Sequence, residues 1–167
     1  MQDHMPLGDL LISKGKLTAE QLETALEARR GQRRRLGDVL VSLGYVTEND
    51  IAESLGQQYD LEVVDVLDLT PDPMALRLLD TEAALGSRIL PLSIKEDSLE
   101  CVIADPIDVT AMDLVTRATD KHIVFRIAPI SALLQAIRIA YCLPNADRRR
   151  ADPGANRKIE ERRALID

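Results

Sequence analysis

Two arginines and a glutamine sit among leucines and glycines that recur on one repeated spacing, and the set suits binding of a planar anion rather than bond-making chemistry. Arg35-Leu36-Gly37 is followed by Leu40, Gly44, Ile51, Leu55 and Gln58. The same order runs from Pro6-Leu7-Gly8 through Leu11, Gly15, Leu22, Leu26 and Arg29. Arg35, Arg29 and Gln58 carry flat, multiply donating groups that match phosphate oxygens and base edges. Gly8 and Gly37 fall at predicted helix starts, where no helix stop is needed. A glycine there lets a ligand approach backbone N–H groups at the positive end of a helix. Leu7, Leu11, Leu36 and Leu40 offer apolar contact to a ring, and some of them must also serve the core. Arg29, Arg30, Arg33, Arg34 and Arg35 crowd the junction of the two copies in a chain of net charge −7. A cation patch on an acidic protein points to a small anionic ligand.

No pattern for catalysis accompanies this set. The chain has no GxxxxGK[ST] phosphate loop and no nucleophile-elbow context around a serine. His4 and His122 lie at no metal-ligand spacing from Cys101 and Cys142, so neither a metal site nor a catalytic centre is expected. The acidic balance argues against general nucleic-acid binding, which needs a broad basic face. No apolar run is long enough to span a bilayer, and the start lacks the basic and apolar regions of a signal peptide. Two cysteines fit free thiols in a reducing cytoplasm.

The elements that must carry these residues follow from period and caps. Leu7, Leu10 and Leu11 share a helical face, and Gly15 is placed to end that helix in the left-handed conformation. Thr18 with Gln21 reads as a capping box, and Thr47 caps the equivalent helix of the second copy. Helices are predicted near 6–14, 18–30, 36–43 and 47–58. A repeat this short buries no core alone, so two copies side by side imply one packed unit. After Tyr59 the texture changes. Residues 61–69 are β-rich, helices are predicted near 72–79 and 81–86, and strands at 88–94 and 99–104 flank a turn at Lys95–Ser98. Asp105-Pro106 reads as a turn closing the second strand. A helix near 108–118, a strand at 122–127 and a helix at 130–141 complete the order. The predicted class is α+β. A four-helix subdomain of two helical hairpins spans 1–60, a small α/β sandwich subdomain spans 61–143, and 144–167 reads as a charged, flexible tail.

The spacing over residues 35–58, with Ile51 at one leucine position, resembles the tandem motif of the MshEN-type N-terminal domain. That domain is found on type II secretion and type IV pilus assembly ATPases. The family binds cyclic di-GMP through two such motifs separated by a five-residue spacer, and the spacer Arg30–Arg34 has that length here. Ile89-Leu90-Pro91-Leu92, Val102-Ile103-Ala104-Asp105-Pro106 and the helix ending Ala140-Tyr141 are similar to the α/β half of the same domain. The resemblance thus covers about residues 5–143. It implies cyclic di-GMP as ligand, with no further cofactor, at Arg35, Leu36, Gly37, Leu40, Gln58, Leu7, Gly8, Leu11 and Arg29. Pro6 stands where the family has Arg, and Arg29 where it has Gln. One half-site is therefore complete and the other altered, although Arg29 is able to donate two hydrogen bonds to guanine O6 and N7.

These features lead to the expectation of a stand-alone, non-enzymatic cyclic di-GMP receptor in the cytoplasm. Its output would pass to a secretion or pilus ATPase, a platform or another signalling protein. The alternative is a docking module of such a machine that binds no nucleotide. An adaptor using the basic 29–35 strip fits the acidic charge least well.

Overall fold

The computed structural model describes residues 5–142. Predicted features on residues 1–4 and 143–167, including the tail, lie outside the described residues. The N-terminal part is two helical hairpins, α1 (Leu7–Ser13) with α2 (Ala19–Arg29) and α3 (Leu36–Ser42) with α4 (Glu48–Tyr59). The same local chemistry builds both. Gly15 (φ 69°) and Gly44 (φ 71°) hold the left-handed conformation just after α1 and α3, which costs a glycine nothing. Thr18 then accepts the Gln21 N–H while the Gln21 side chain accepts the Thr18 N–H. Thr47 and Asp50 repeat the exchange at α4. Leu11, Leu17, Ala25, Val39, Leu40 and Val46 close over one another as the core of this unit.

The C-terminal part is a three-stranded sheet between two layers of helix. Strand β1 (Ile89–Ile94) pairs antiparallel with β2 (Ser98–Ile103) through the expected turn at Lys95–Ser98. Strand β3 (His122–Ile127) lies parallel to β2, which requires a crossover, and helix α7 (Val109–Ala118) supplies it. Side chains alternate across the sheet. Leu90 and Val102 face helix α8 (Ile130–Cys142), whose Leu133 and Ile137 are fully buried. Ile89, Leu99, Cys101 and Ile103 face Val115 of α7. A fully buried leucine or isoleucine contributes roughly 1.5–3 kcal/mol. The apolar texture of both strands follows, because neither face meets water.

Two expectations need correction. Residues 61–69 form no strand. They make a single parallel bridge, Val63 to Ile127, and then a 3-10 turn at Val66–Asp68. Asp65 accepts the Leu67 N–H, a local bond that competes with a sheet ladder. The helix predicted over 72–79 is shortened to α5 (Pro73–Leu76). Asp72 caps it, but Asp80 already caps α6 (Thr81–Ser87), so the chain turns between them.

The two parts meet along α4. A Cβ on Gly56 would lie 2.9 Å from the Leu61 carbonyl oxygen and 2.7 Å from a Val63 methyl, so only glycine allows this approach. At the other end of α4, the Glu48 carboxylate accepts both the N–H and the hydroxyl of Ser131 in the first turn of α8.

Candidate ligand-binding site

A cleft of about 790 Å³ opens at this seam, within the usual size of small-molecule sites. One wall is helical. Leu7 of α1, Leu36, Gly37 and Val41 of α3, and Ile51 and Leu55 of α4 give it an apolar floor. Arg29, at the end of α2, and Arg35, at the N-cap of α3, stand at its edge. The facing wall comes from the sheet part: Arg88 between α6 and β1, Asp105, Ile107 and Asp108 after β2, the first residues of α7, and Ala128 and Pro129 leading into Ile130 of α8.

Arg35 crosses the cleft. Its Nη1 donates to Asp105 Oδ2 at 2.5 Å and its Nη2 to Asp108 Oδ2 at 2.6 Å. Each carboxylate is anchored locally through its other oxygen. Asp105 Oδ1 accepts the Ile107 N–H, and Asp108 Oδ1 accepts the Ala111 N–H as the N-cap of α7. Burial pushes the Asp108 carboxyl upward, but the Ala111 N–H and the Arg35 guanidinium outweigh it and hold the group below its ordinary value. A second, looser ionic contact spans the same gap, with Arg88 Nη1 3.9 Å from Asp38 Oδ2.

The sequence-derived residues divide between this cleft and the interior. Leu7, Arg29, Arg35, Leu36 and Gly37 line the cleft. Leu11 and Leu40 are fully buried in the helical core, because their faces of α1 and α3 turn toward the neighbouring hairpin. Gly8 is buried as well. A Cβ there would come within 2.6 Å of a Leu22 methyl, so its visible task is close packing of α1 on α2. Gly37 is different: a Cβ would meet Ile51 at an ordinary 3.5 Å. Gln58 continues the Ile51–Leu55 stripe of α4 just past the cleft lining. It donates to the Met5 carbonyl, and its own carbonyl oxygen is buried with no partner among the described residues. Arg30, Arg33 and Arg34 are exposed and lie off the cleft wall.

Sequence reasoning missed the acids. Asp105-Pro106 reads as a turn and Asp108 as the start of a helix, whereas the two carboxylates together clamp Arg35. The available signal was two acids three residues apart between a strand and a helix, a spacing that suits an Asx turn followed by an N-cap. Arg88 and Asp38 carried no comparable signal.

Fold and cleft define a two-part α+β domain whose seam has the size of a small-molecule site, with an apolar floor and charged edges. A family model described as the MshEN domain matches residues 59–142, and the chain belongs to that family. It resembles MshE in a structure with cyclic di-GMP at 36% identity and a TM-score of 0.73, over 82% of this chain and 99% of that one. The N-terminal domain of XpsE superposes at 26% identity and a TM-score of 0.70, over 81% of this chain and 93% of that one. The type IV pilus assembly ATPase PilB of Myxococcus xanthus is 26% identical over 135 residues, or 81% of this chain. The chain spans 24% of that ATPase's length. Among the described residues no helix is long and apolar enough to cross a membrane, and no cluster could hold a metal ion.

Proposed function

We propose that this chain is a non-enzymatic cyclic di-GMP receptor module that acts in the cytoplasm on a partner protein. The observation that carries this reading is the cleft wall itself. Leu7 and Arg29 from the first copy of the repeat meet Arg35, Leu36 and Gly37 from the second on one surface. A ligand with two purines and two phosphates has use for both halves. Leu7, Leu36, Ile51 and Leu55 provide apolar area for the bases. Gly37 leaves room beside the start of α3. Arg35 is suited to a phosphate or to guanine O6 and N7, and the nearby carboxylates to the guanine amino group. The relative that shares 36% of its aligned sequence and is described with cyclic di-GMP supports the same ligand.

Filling the seam would change how Arg35 and Glu48 tie the helices to the sheet, and that offers a route to a partner surface. The PilB relative supports a pilus ATPase or a component of its machine as that partner.

One observation favours a second reading, a docking module without nucleotide. Two carboxylates already neutralise Arg35, and Pro6 supplies no cation in its place in the first copy. Calorimetric titration with cyclic di-GMP, GTP and cyclic AMP separates the two. The receptor reading expects saturable binding of cyclic di-GMP, tighter than either other nucleotide. A flat titration at high micromolar ligand would leave the docking reading.

A further inference from the structure

The charges lining the cleft do not by themselves favour a dianion. Arg29, Arg35 and Arg88 face Asp38, Glu48, Asp105 and Asp108. Arg35 has both terminal nitrogens committed to carboxylates at 2.5 and 2.6 Å. Pro6 puts no charge at the place equivalent to Arg35. A second phosphate therefore needs a cation from elsewhere, and Arg88 is the one presented by the opposite wall. Its only ionic contact among the described residues is Asp38 at 3.9 Å, beyond hydrogen-bond reach.

The backbone at Arg88 is also informative. The residue ends α6 in the left-handed region, at φ 53° and ψ 49°. That conformation costs a residue with a Cβ about 1 kcal/mol or more relative to glycine. The turn into β1 thus disfavours an arginine. What the turn does achieve is to aim a long cationic side chain, itself 35% exposed, across the seam toward the start of α3. Asp60 ends α4 in the same conformation away from the cleft, so at Arg88 it is the aim of the side chain that points to a ligand.

We propose that Arg88 is a phosphate-binding residue of the cleft, gripping the ligand from the sheet side while Arg35 and Arg29 act from the helical side. This rests on the cyclic di-GMP reading and deepens it. The ligand would be held between the two parts of the fold, so its binding would report directly on their separation.

The backbone itself supplies a clean test. Arg88→Gly removes the guanidinium at a place where glycine is the better fit, so thermal stability should hold or rise. Cyclic di-GMP affinity, measured by calorimetry, should fall about tenfold to a hundredfold, the loss expected for a charged hydrogen bond. The variant should also show a weaker dependence of Kd on salt, and Arg88→Lys should retain part of the affinity. Unchanged affinity in Arg88→Gly overturns the proposal while leaving the receptor reading intact. A loss of affinity with a melting temperature lowered by several degrees overturns it too, because Arg88 would then be structural. A flat titration of the unsubstituted chain removes the receptor reading and this proposal together.

Discussion

Arg35 reaches 70 residues along the chain to Asp105 and 73 to Asp108, so one guanidinium joins the helical hairpins to the sheet at the mouth of the cleft. Arg35 is 41% exposed, and its partners are about one-fifth exposed. Ion pairs this wet are each worth about 1 kcal/mol or less. Arg35→Ala should therefore lower stability only slightly. Its effect on cyclic di-GMP affinity should be larger, about tenfold to a hundredfold, and larger than that of the more exposed Arg29→Ala. Equal losses in calorimetry would mean that the two copies of the repeat contribute alike.

The carboxylates allow charge and capping to be separated. Asp108→Asn keeps an oxygen for the Ala111 N–H and so keeps the cap of α7, while weakening the hold on Arg35. Asp108→Ala loses both. The alanine variant should be less stable than the asparagine variant by about 1 kcal/mol. Denaturant melts of the pair would check this, and equal midpoints would mean that the cap contributes nothing.

Three glycines should respond differently to alanine. Gly56→Ala forces a Cβ against a backbone oxygen at 2.9 Å and a Val63 methyl at 2.7 Å, and overpacking of this kind costs roughly 1–3 kcal/mol. Gly8→Ala presses only on the Leu22 methyls, which are able to rotate away, and should cost less. Gly37→Ala meets no clash and gains helix propensity, so stability should hold or rise. If the ligand approaches α3 closely, the same variant should lose affinity. Thermal melts with and without cyclic di-GMP would reveal it as a diminished ligand-induced shift.

Much of this architecture is legible in the sequence. Repetition exposed the hairpins, because Gly15 and Gly44, Thr18 and Thr47 have one local meaning wherever they occur. The buried strands were readable from continuous apolar runs. What stayed hidden depends on contacts between distant segments. Leu7 and Leu11 look alike in the repeat, yet one borders the cleft and the other is fully buried, since only hairpin packing decides which turn of α1 faces inward. Gly8 and Gly37 share a motif position, and each faces the equivalent residue of the next helix, Leu22 or Ile51, but only at Gly8 is the approach too close for a Cβ. Asp105 and Asp108 could be read locally as turn and cap, while their grip on Arg35 exists only once the sheet is laid against the helices. Residues 61–69 read as β-rich because Val63, Val64 and Val66 favour strands, but the Asp65 side chain turns the backbone locally at Leu67 instead.

Burial of Cys101 between sheet and helix pushes its thiol up to about 12. The thiolate is the reactive form, so this group should be inert near neutral pH. In a Cys142→Ser background, the native protein should resist a thiol reagent at pH 8 and react fully once denatured. Rapid labelling of the native chain would mean that the sheet opens readily.

Acid should loosen the joint between the hairpins first. Lys16, just after α1, donates to Asp50 in the first turn of α4 at 2.8 Å. That bond and the Thr47 cap hold the Asp50 carboxyl down at about 2, from an ordinary 3.8. Because the folded-state value lies below the unfolded one, the unfolded chain takes up the proton first. The stabilisation is therefore fully present above about pH 4, and it is lost as pH falls through the folded value. Glu100 and Asp108 are shifted in the same direction and add to the same limb. Asp50→Asn removes the ionisable group but retains an oxygen for the Thr47 N–H. It should lower stability at pH 7 and flatten the fall between pH 4 and pH 2, while Lys16→Met should do likewise without touching the cap. Equally steep acid limbs in all three proteins, followed by denaturant melts across that range, would show that the proton-sensitive joint lies elsewhere.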